Sequence, residues 1–182
     1  MSQFIVNEDV VLVDGNDRMT GTIEKLKAHQ LGLLHRAFSV FIFNTRGELL
    51  LQQRALGKYH SGGKWTNTCC SHQRVNEDNY LAARRRLIEE MGMDCDVQYA
   101  FNFIYKADVA DGLIEYEYDH VFFGISDEQP VPAPEEVAAW RYLSLPALAE
   151  ELKSKPADYT EWLKVCFERI AEYYNNTTQV PG

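Results

Sequence analysis

Short apolar runs separated by turn residues occupy much of the chain, and this pattern predicts β-strands. Residues 10–13 form one such run, which ends at a turn over residues 14–17. Residues 37–43 and 48–53 flank a second turn at residues 44–47. Two strands joined by a short polar turn are typical of a β-hairpin, so the first third of the chain is expected to form antiparallel sheet.

Two longer β-rich runs follow in the second half of the chain. Residues 97–107 and 113–125 flank a loop that contains Asp111 and Gly112. Because an Asp-Gly pair favours a tight turn, the two runs predict a long hairpin. Residues 140–145 are expected to form the last strand.

The apolar spacing changes to a helical period between residues 76 and 91. Asn76 can cap the helix, Glu77 and Asp78 suit the dipole of its first turn, and Gly92 can end it. The apolar stripe expected to face the core consists of Leu81, Leu87, Ile88 and Met91.

Two more helices are expected near the C-terminus. Pro146 can begin a short helix, and residues 160–174 carry apolar side chains at helical spacing. With no repeat and no low-complexity linker, the elements predict one α+β domain in which helices sandwich a mixed β-sheet. We expect residues 1–30 to form an N-terminal strand and a metal- or phosphate-contacting segment, residues 31–174 the catalytic domain, and residues 175–182 a disordered tail.

Charge and cysteine content narrow the choice of partners. The chain has 18 Lys and Arg against 27 Asp and Glu, a net charge of -9 that repels nucleic acids and anionic membrane surfaces. No apolar stretch approaches the roughly 18 residues of a membrane-spanning helix, and no basic run precedes an apolar stretch at the N-terminus. The four cysteines form no Cys-x-x-Cys pair. We therefore expect a cytoplasmic protein with reduced thiols and with neither nucleic acid nor membrane as a partner.

Two glutamates and three histidines are candidates for a metal site. Glu115 and Glu117 lie two apart on a predicted strand, so their carboxylates share one face roughly 6 to 7 Å apart. A solvent-facing acidic edge is the ordinary explanation for such a pair, but His29, His35 and His72 beside turns favour a shared cation.

The spacing of the histidines also constrains the backbone. His29 and His35 are six residues apart and cannot share a helical face, so they require a helix break near Gly32. His60 and His120 are interpreted as ordinary surface or core residues.

The segment before the central helix carries two adjacent thiols. Cys70 and His72 would share a face if this segment is extended, whereas Cys69 would face the packing side. Core packing is the ordinary role of such a thiol. Further along the chain, Arg85 and Arg86 can form ion pairs with Glu89 and Glu90, each four residues later on the predicted helix. Such surface ion pairs would explain the arginine run without any role in catalysis or binding.

Residues 71–93 resemble the Nudix box, a signature that wraps a metal and a diphosphate. The positions that fit its spacing are Glu77, Arg85, Leu87, Glu89, Glu90, Gly92 and Met93. Ser71 replaces the opening Gly, and Arg86 replaces the first Glu of an Arg-Glu pair. Since hydrolysis needs the helix acids to hold metal and activate water, Arg86 argues against a pyrophosphohydrolase.

The remaining motifs are similar to those of type 1 isopentenyl-diphosphate isomerases, which share the Nudix-like fold. They are residues 21–25 leading to His29, residues 35–39, 54–58, 65–67, 70–72 and 115–117, together with Tyr105 and Trp162. The resemblance extends from about residue 10 to residue 170.

The resemblance implies two divalent ions and no flavin. A zinc or manganese ion would be held by His29, His35, His72, Glu115 and Glu117. A magnesium ion would bridge Glu90, the backbone of Cys70 and the substrate diphosphate. The diphosphate contacts would be Lys25, Arg54, Lys58 and Arg86, so Arg86 becomes a phosphate ligand.

The activity implied by the resemblance is the 1,3-allylic rearrangement of isopentenyl diphosphate to dimethylallyl diphosphate in isoprenoid biosynthesis. Cys70 and Glu117 would be the acid/base pair, with Tyr105 near the carboxylate and Trp162 as an aromatic cap. Either Cys70 or Glu117 could deliver the first proton. The alternatives are a Nudix pyrophosphohydrolase and a catalytically inactive Nudix-fold binding module. We expect a monomer or a weak homodimer.

Overall fold

The computed structural model describes residues 9–178, and in this part of the chain nine strands form one mixed sheet with four α-helices packed on it. The strands are β1 Asp9–Val13, β2 Met19–Glu24, β3 His35–Phe43, β4 Glu48–Arg54, β5 Trp65–Thr66, β6 Cys69–Ser71, β7 Gln98–Asp108, β8 Ile114–Ile125 and β9 Val137–Ser144. The helices are α1 Lys25–Leu31, α2 Asn79–Met91, α3 Leu145–Ser154 and α4 Glu161–Thr178.

Strand β3 is the centre of the sheet. One edge pairs in parallel with β8 along its whole length, from His35 opposite Glu117 to Phe43 opposite Ile125. The other edge is shared by β1, β6 and β4, all antiparallel to β3. A parallel pair requires a long crossover connection, which here contains α2. The predicted mixed sheet is therefore confirmed, and its parallel pair lies at its centre.

Helices cover both faces of the sheet. On one face, α2 packs Ala83, Leu87 and Met91 against Phe38 and Val40 of β3. On the other face, α3 and α4 pack against apolar residues of β3, β4 and β8. Strand β3 is covered on both sides, which explains why residues 37–43 are almost uniformly apolar rather than alternating. The predicted α+β fold with a sandwiched sheet is confirmed.

Helix α2 begins later than its sequence pattern predicts. Asp78 is the N-cap, and its carboxylate accepts hydrogen bonds from the backbone N–H groups of Tyr80 at 2.9 Å and Leu81 at 3.2 Å. Asn76, the predicted cap, has a φ of 64° and lies in the preceding loop. The predicted termination at Gly92 is confirmed, because Gly92 has a left-handed conformation and its N–H donates to Ile88.

The predicted apolar stripe of α2 is wrong at two positions. Leu81 and Ile88 are exposed, by 59% and 46%, while Ala82 and Ala83 are buried. Small alanines let the helix approach the sheet closely, and the buried face also includes the polar Glu90. A stripe chosen by hydrophobicity alone therefore identified only part of the contact face, namely Leu87 and Met91.

The break between His29 and His35 is confirmed. Helix α1 ends at Gly32, which has a φ of 60°, and β3 begins at His35. The long hairpin is confirmed as β7 and β8, which pair from Gln98 opposite Phe123 to Asp108 opposite Ile114. The sequence pattern does not predict β2, because this strand is polar and only partly buried.

The C-terminal helix is longer than expected. Helix α4 continues to Thr178, so residues 175–178 are not part of a disordered tail. Thr177 and Thr178 donate side-chain hydrogen bonds to carbonyls one turn earlier, and Tyr174 stacks on Phe43 with ring centres 4.0 Å apart. Residues 1–8 and 179–182 lie outside the described part of the chain, and so do the predictions made for them. The helices of residues 9–178 include none that is both long and apolar enough to cross a membrane.

We predict that Gly92→Ala destabilises the protein by about 1 to 3 kcal/mol, because alanine disfavours the left-handed conformation and its Cβ would collide with the carbonyl oxygen of Val131. Chemical denaturation measures the free energy of unfolding. Gly15→Ala is the matched control, since a Cβ at Gly15 meets nothing within 4 Å. Equal stability of the two variants would contradict this explanation.

Candidate active site

One face of the sheet carries the candidate catalytic side chains. His35 of β3 lies opposite Glu117 of β8, and Glu117 lies opposite Tyr105 of β7. Residues that pair across adjacent strands project to the same face, and so do residues two apart on one strand. Glu115 therefore joins the same face as these three side chains, and both carboxylates are buried.

Histidines from three separate elements converge on the two carboxylates. His29 Nε2 of α1 lies 3.3 Å from Glu115 Oε2, and His35 Nε2 lies 3.5 Å from Glu117 Oε1. His72 Nε2, just after β6, lies 3.0 Å from Glu117 Oε1. Candidate donor atoms of the three histidines and Glu117 all lie within 4.8 Å of one another.

Backbone carbonyls orient two of the histidines. His29 Nδ1 lies 2.7 Å from the carbonyl oxygen of Lys25, and His35 Nδ1 lies 2.8 Å from that of Leu33. A carbonyl oxygen only accepts hydrogen bonds, so each Nδ1 carries the proton that it donates. Nε2, the atom that faces the carboxylates, donates a hydrogen bond to them when the ring is protonated and offers its lone pair to a metal ion when the ring is neutral.

The close imidazoles keep the carboxylates ionised. Burial raises the pKa values of Glu115 and Glu117, and repulsion from Glu117 further raises that of Glu115, but the imidazoles outweigh these effects and hold both pKa values below the usual range. For Glu117 the opposing groups are His35 and His72. Burial lowers the pKa of His72 to about 4, so this ring is neutral at pH 7. Ionised carboxylates and neutral imidazoles are the forms that bind metal ions.

The candidate acid/base groups occupy the same face. Cys70 pairs with Ser39 of β3, and Tyr105 donates a hydrogen bond of 2.6 Å to Glu117 Oε2. Burial raises the pKa of Cys70, so its thiol is protonated at neutral pH. Cys69 projects to the opposite face and is fully buried in the core beneath α2, which confirms the predicted orientation of the two thiols.

Trp162 forms an aromatic wall of the pocket and is held by a buried amide. Its indole N–H donates to Asn67 Oδ1 at 3.2 Å. The Asn67 amide in turn donates to the carbonyls of Val40 at 3.1 Å and Cys69 at 2.8 Å. The guanidinium of Arg54 lies 5.3 Å from the centre of the indole ring. Asn67 thus connects the aromatic wall with the strand that carries Cys70.

Four cationic side chains reach the same pocket. They are Lys25, Arg54, Lys58 and Arg86. Arg86 donates to Glu90 Oε1 at 2.7 Å and lies 3.3 Å from Glu136 Oε1, while Lys58 also forms an ion pair with Glu136. The expected helical ion pairs of the arginine run are confirmed, but Arg86 also contacts Glu136 outside the helix.

The expected site residues come together. A single pocket is lined by Lys25, Arg54, Lys58, Cys70, His72, Arg86, Glu90, Tyr105, Glu115, Glu117 and Trp162. His29 and His35 lie directly behind this wall, in contact with the two carboxylates.

Known proteins share this sequence and fold. The NUDIX domain family matches residues 33–163. The chain is 49% identical over 165 residues to Isopentenyl-diphosphate Delta-isomerase 2 of Aromatoleum aromaticum, covering 91% of this chain and 87% of that protein. It is 48% identical over 166 residues to the Isopentenyl-diphosphate Delta-isomerase of Pectobacterium atrosepticum, covering 91% and 93%. The chain belongs to the isopentenyl-diphosphate Delta-isomerase family.

Solved structures agree with this family at the level of the fold. DR0079 from Deinococcus radiodurans has a TM-score of 0.75 at 17% identity, covering 89% of this chain and 98% of that one. The MutT protein from Methanosarcina mazei Go1 has a TM-score of 0.63 at 17% identity, covering 81% and 96%. The isopentenyl-diphosphate isomerase family member described here therefore has a Nudix fold.

The donor set of this isomerase family member suits a divalent metal ion. His29 Nε2, His35 Nε2 and Glu115 Oε2 are buried and have no hydrogen-bond partner among the described residues. Two ligand atoms that each lie about 2.1 Å from a shared metal ion are about 3 Å from each other. The distances from the histidine Nε2 atoms to the carboxylate oxygens, 3.0 to 3.5 Å, are close to this value. The His/Glu cluster can thus hold a divalent metal ion.

One histidine outside the predicted set also reaches the cluster. His60 Nε2 lies 2.9 Å from Glu115 Oε1, and His60, His29 and Glu115 form a second group of close donors. The sequence pattern offers one signal for His60, which follows Lys58 by two residues and precedes the turn at Gly62 and Gly63. Its partner is far along the chain, so spacing alone does not identify the contact. His120 instead pairs with Asp17, away from the metal candidates.

We predict that divalent metal stabilises the folded protein, because the ligands converge only after folding. At a free ion concentration 100 times Kd, the stabilisation is about 2.7 kcal/mol. Thermal denaturation of chelated and zinc- or manganese-loaded protein measures the difference. His72→Ala and Glu115→Gln should each reduce the metal-dependent rise in Tm, whereas His120→Ala should retain it. Identical Tm values with and without metal would contradict this prediction.

Proposed function

We propose that the protein interconverts isopentenyl diphosphate and dimethylallyl diphosphate by adding and removing a proton. The observation that carries this proposal is a thiol and an ionised carboxylate, Cys70 and Glu117, that line one pocket together with four cationic side chains. The relatives named as isopentenyl-diphosphate Delta-isomerases support the same reaction.

The chemistry requires two proton transfers and no net change in composition. A proton adds to C4 of isopentenyl diphosphate, which leaves positive charge at C3. Loss of a proton from C2 then forms the C2–C3 double bond of dimethylallyl diphosphate. Because the reaction is reversible, each protein group acts as an acid in one direction and as a base in the other.

Cys70 and Glu117 are proposed as the acid/base pair. At neutral pH the thiol is protonated and the carboxylate is ionised, so the pair holds one transferable proton. Tyr105 donates a hydrogen bond to Glu117 Oε2 and so orients the carboxylate. Trp162 presents an aromatic ring to the pocket, and such a ring stabilises nearby positive charge by about 0.5 to 2 kcal/mol.

The cationic side chains are proposed to bind the diphosphate. Lys25, Arg54, Lys58 and Arg86 would bind its oxygens, because guanidinium and ammonium groups form strong charge-assisted hydrogen bonds with phosphate. Lys58 and Arg86 share Glu136, which keeps the two cations close together. Glu90 and the backbone carbonyl of Cys70 are the proposed ligands of a magnesium ion that accompanies the diphosphate.

The proposed ligands of the zinc or manganese ion are His29, His35, His72, Glu115 and Glu117. When bound, the ion supplies positive charge that keeps both carboxylates ionised inside the protein. No flavin is required, since no electron is transferred in the reaction. The mixed nitrogen and oxygen donor set is compatible with either zinc or manganese.

Hydrolysis of a diphosphate is the less favoured alternative. A Nudix pyrophosphohydrolase uses acids of the central helix to hold metal and activate water. Here Arg86 occupies one acid position and forms ion pairs with Glu89 and Glu90, which reduces the negative charge at this end of α2.

The cellular setting is part of the proposal. The four cysteines are all free thiols, which suits the reducing cytosol. The substrate is a small diphosphate, and every proposed site residue comes from one chain, so a monomer or weak homodimer is sufficient for activity.

We predict that incubation with isopentenyl diphosphate, magnesium and heavy water, without flavin, places deuterium in dimethylallyl diphosphate and in recovered substrate. Reversible protonation and deprotonation exchange protons with the solvent. Mass spectrometry and NMR measure the label. Release of phosphate without an allylic product would instead favour a pyrophosphohydrolase.

We predict that Cys70→Ala lowers kcat by at least roughly 100-fold, the usual effect of removing an acid/base group. Cys69→Ala is the matched control, because Cys69 faces the core; it should reduce stability by about 1 kcal/mol and leave turnover nearly unchanged. Steady-state kinetics and thermal denaturation measure both effects. Normal turnover by Cys70→Ala would disprove its assignment to proton transfer.

A further inference from the structure

We infer that His60 is a positioning residue for the metal centre: its Nε2–H holds one oxygen of Glu115 and thereby presents the other oxygen to the ion. This inference rests on the metal site of the proposed function. It concerns a residue that does not itself coordinate the ion.

The two carboxylate oxygens of Glu115 have different neighbours. Oε1 lies 2.9 Å from His60 Nε2, while Oε2 lies 3.3 Å from His29 Nε2 and has no hydrogen-bond partner among the described residues. Both side chains of the His60–Glu115 pair are 4% exposed, so water does not compete for the contact. A carboxylate group is planar, and a hydrogen bond to one oxygen fixes the direction of the other.

His60 differs from two of the proposed ligands, His29 and His35, in the partners of its ring nitrogens. His29 and His35 give their Nδ1 protons to backbone carbonyls, and each has an Nε2 without a hydrogen-bond partner. His60 Nδ1 instead faces the hydroxyl of Ser61 at 3.2 Å. A carboxylate only accepts hydrogen bonds, so the 2.9 Å contact with Glu115 requires the ring proton on Nε2, and the Ser61 hydroxyl can donate to Nδ1. The Nε2 of His60 is therefore a donor to Glu115 and not a lone pair aimed at a metal.

The ring of His60 is held firmly. Tyr59 meets it edge-on with ring centres 4.4 Å apart, and Trp162 lies edge-on at 6.1 Å. Arg54 donates a hydrogen bond of 3.2 Å to the His60 carbonyl oxygen. The following turn is tight, since a Cβ at Gly62 would lie 2.8 Å from the carbonyl oxygen of Leu56. A rigid ring can hold the carboxylate in one orientation.

The contact also joins two proposed subsites. Residues 54–60 carry Arg54 and Lys58, which are proposed to bind the diphosphate, and this segment meets the metal centre through His60. One hydrogen bond, from His60 to Glu115, therefore links the conformation of residues 54–60 to the orientation of the Glu115 carboxylate.

The test compares His60→Gln with His60→Asn in the full-length protein. The amide nitrogen of glutamine reaches about as far as Nε2 of histidine, whereas the shorter asparagine does not reach Glu115. Competition with a fluorescent chelator measures zinc affinity directly, without an activity assay. Loss of a hydrogen bond to a metal ligand weakens metal binding by roughly 10- to 100-fold. We expect this loss for His60→Asn and near wild-type affinity for His60→Gln.

Two further variants make the outcomes distinct. His120→Asn is the matched control, because His120 pairs with Asp17 at the same 2.9 Å but outside the cluster. It should bind zinc like the wild type. His72→Ala removes a proposed ligand and should lose far more affinity than His60→Asn.

The possible results separate the inference from the proposed function. Wild-type zinc affinity of His60→Asn, together with loss of affinity in His72→Ala, would overturn the positioning role alone. Wild-type affinity of His72→Ala would refute the metal centre itself. Loss of zinc from both His60→Gln and His60→Asn, to the extent seen for His72→Ala, would make His60 a ligand and also overturn the inference.

Discussion

Glu115 and Glu117 bring two negative charges into the interior of the protein, two residues apart on one strand. Burial and mutual repulsion both oppose this arrangement, yet the pKa values of both groups lie below the usual range. The nearby imidazoles lower both pKa values by more than burial and repulsion raise them. These imidazoles come from α1, β3, residues 54–64 and the residue just after β6. The positions of these elements in the fold are therefore tied to the stabilisation of two buried charges.

Strand β3 makes that stabilisation possible because it connects the two halves of the site. Its parallel register places His35 beside Glu117, and its antiparallel register places Ser39 beside Cys70. The metal candidates and the thiol thus share a face through pairing with one strand. A slip of one residue in either register would turn Glu117 or Cys70 to the α2 side of the sheet, where the core is apolar.

Local features were predictable from the sequence, whereas contacts between distant segments were not. The long hairpin follows from Asp111-Gly112, and the break between His29 and His35 follows from their spacing and from Gly32. The predicted start of α2 was wrong because Asn76 and Asp78 are both good N-cap residues, and only the surrounding backbone selects between them. The partner of His60 is Glu115, and this contact depends on how the 54–64 segment packs against β8. No periodicity encodes that packing. The resemblance to a known family identified the other site residues that the structure brings together.

Arg86 shows how one fold can support different chemistry. In the Nudix box its position holds an acid, whereas here it holds a cation that contacts Glu90 and Glu136. The helix keeps its place on the sheet, because Ala83, Leu87 and Met91 pack in the core independently of residue 86. The residues that hold α2 on the sheet are therefore separate from residue 86, where the chain departs from the Nudix box.

Asn67 has a consequence for the rigidity of the pocket. Its amide joins the carbonyls of Val40 and Cys69 to the indole of Trp162, and the whole group is buried. The distance between the thiol-bearing strand and the indole of Trp162 is therefore set by buried hydrogen bonds. Moving the indole relative to Cys70 would leave buried polar groups without partners, which costs free energy and keeps this part of the pocket rigid.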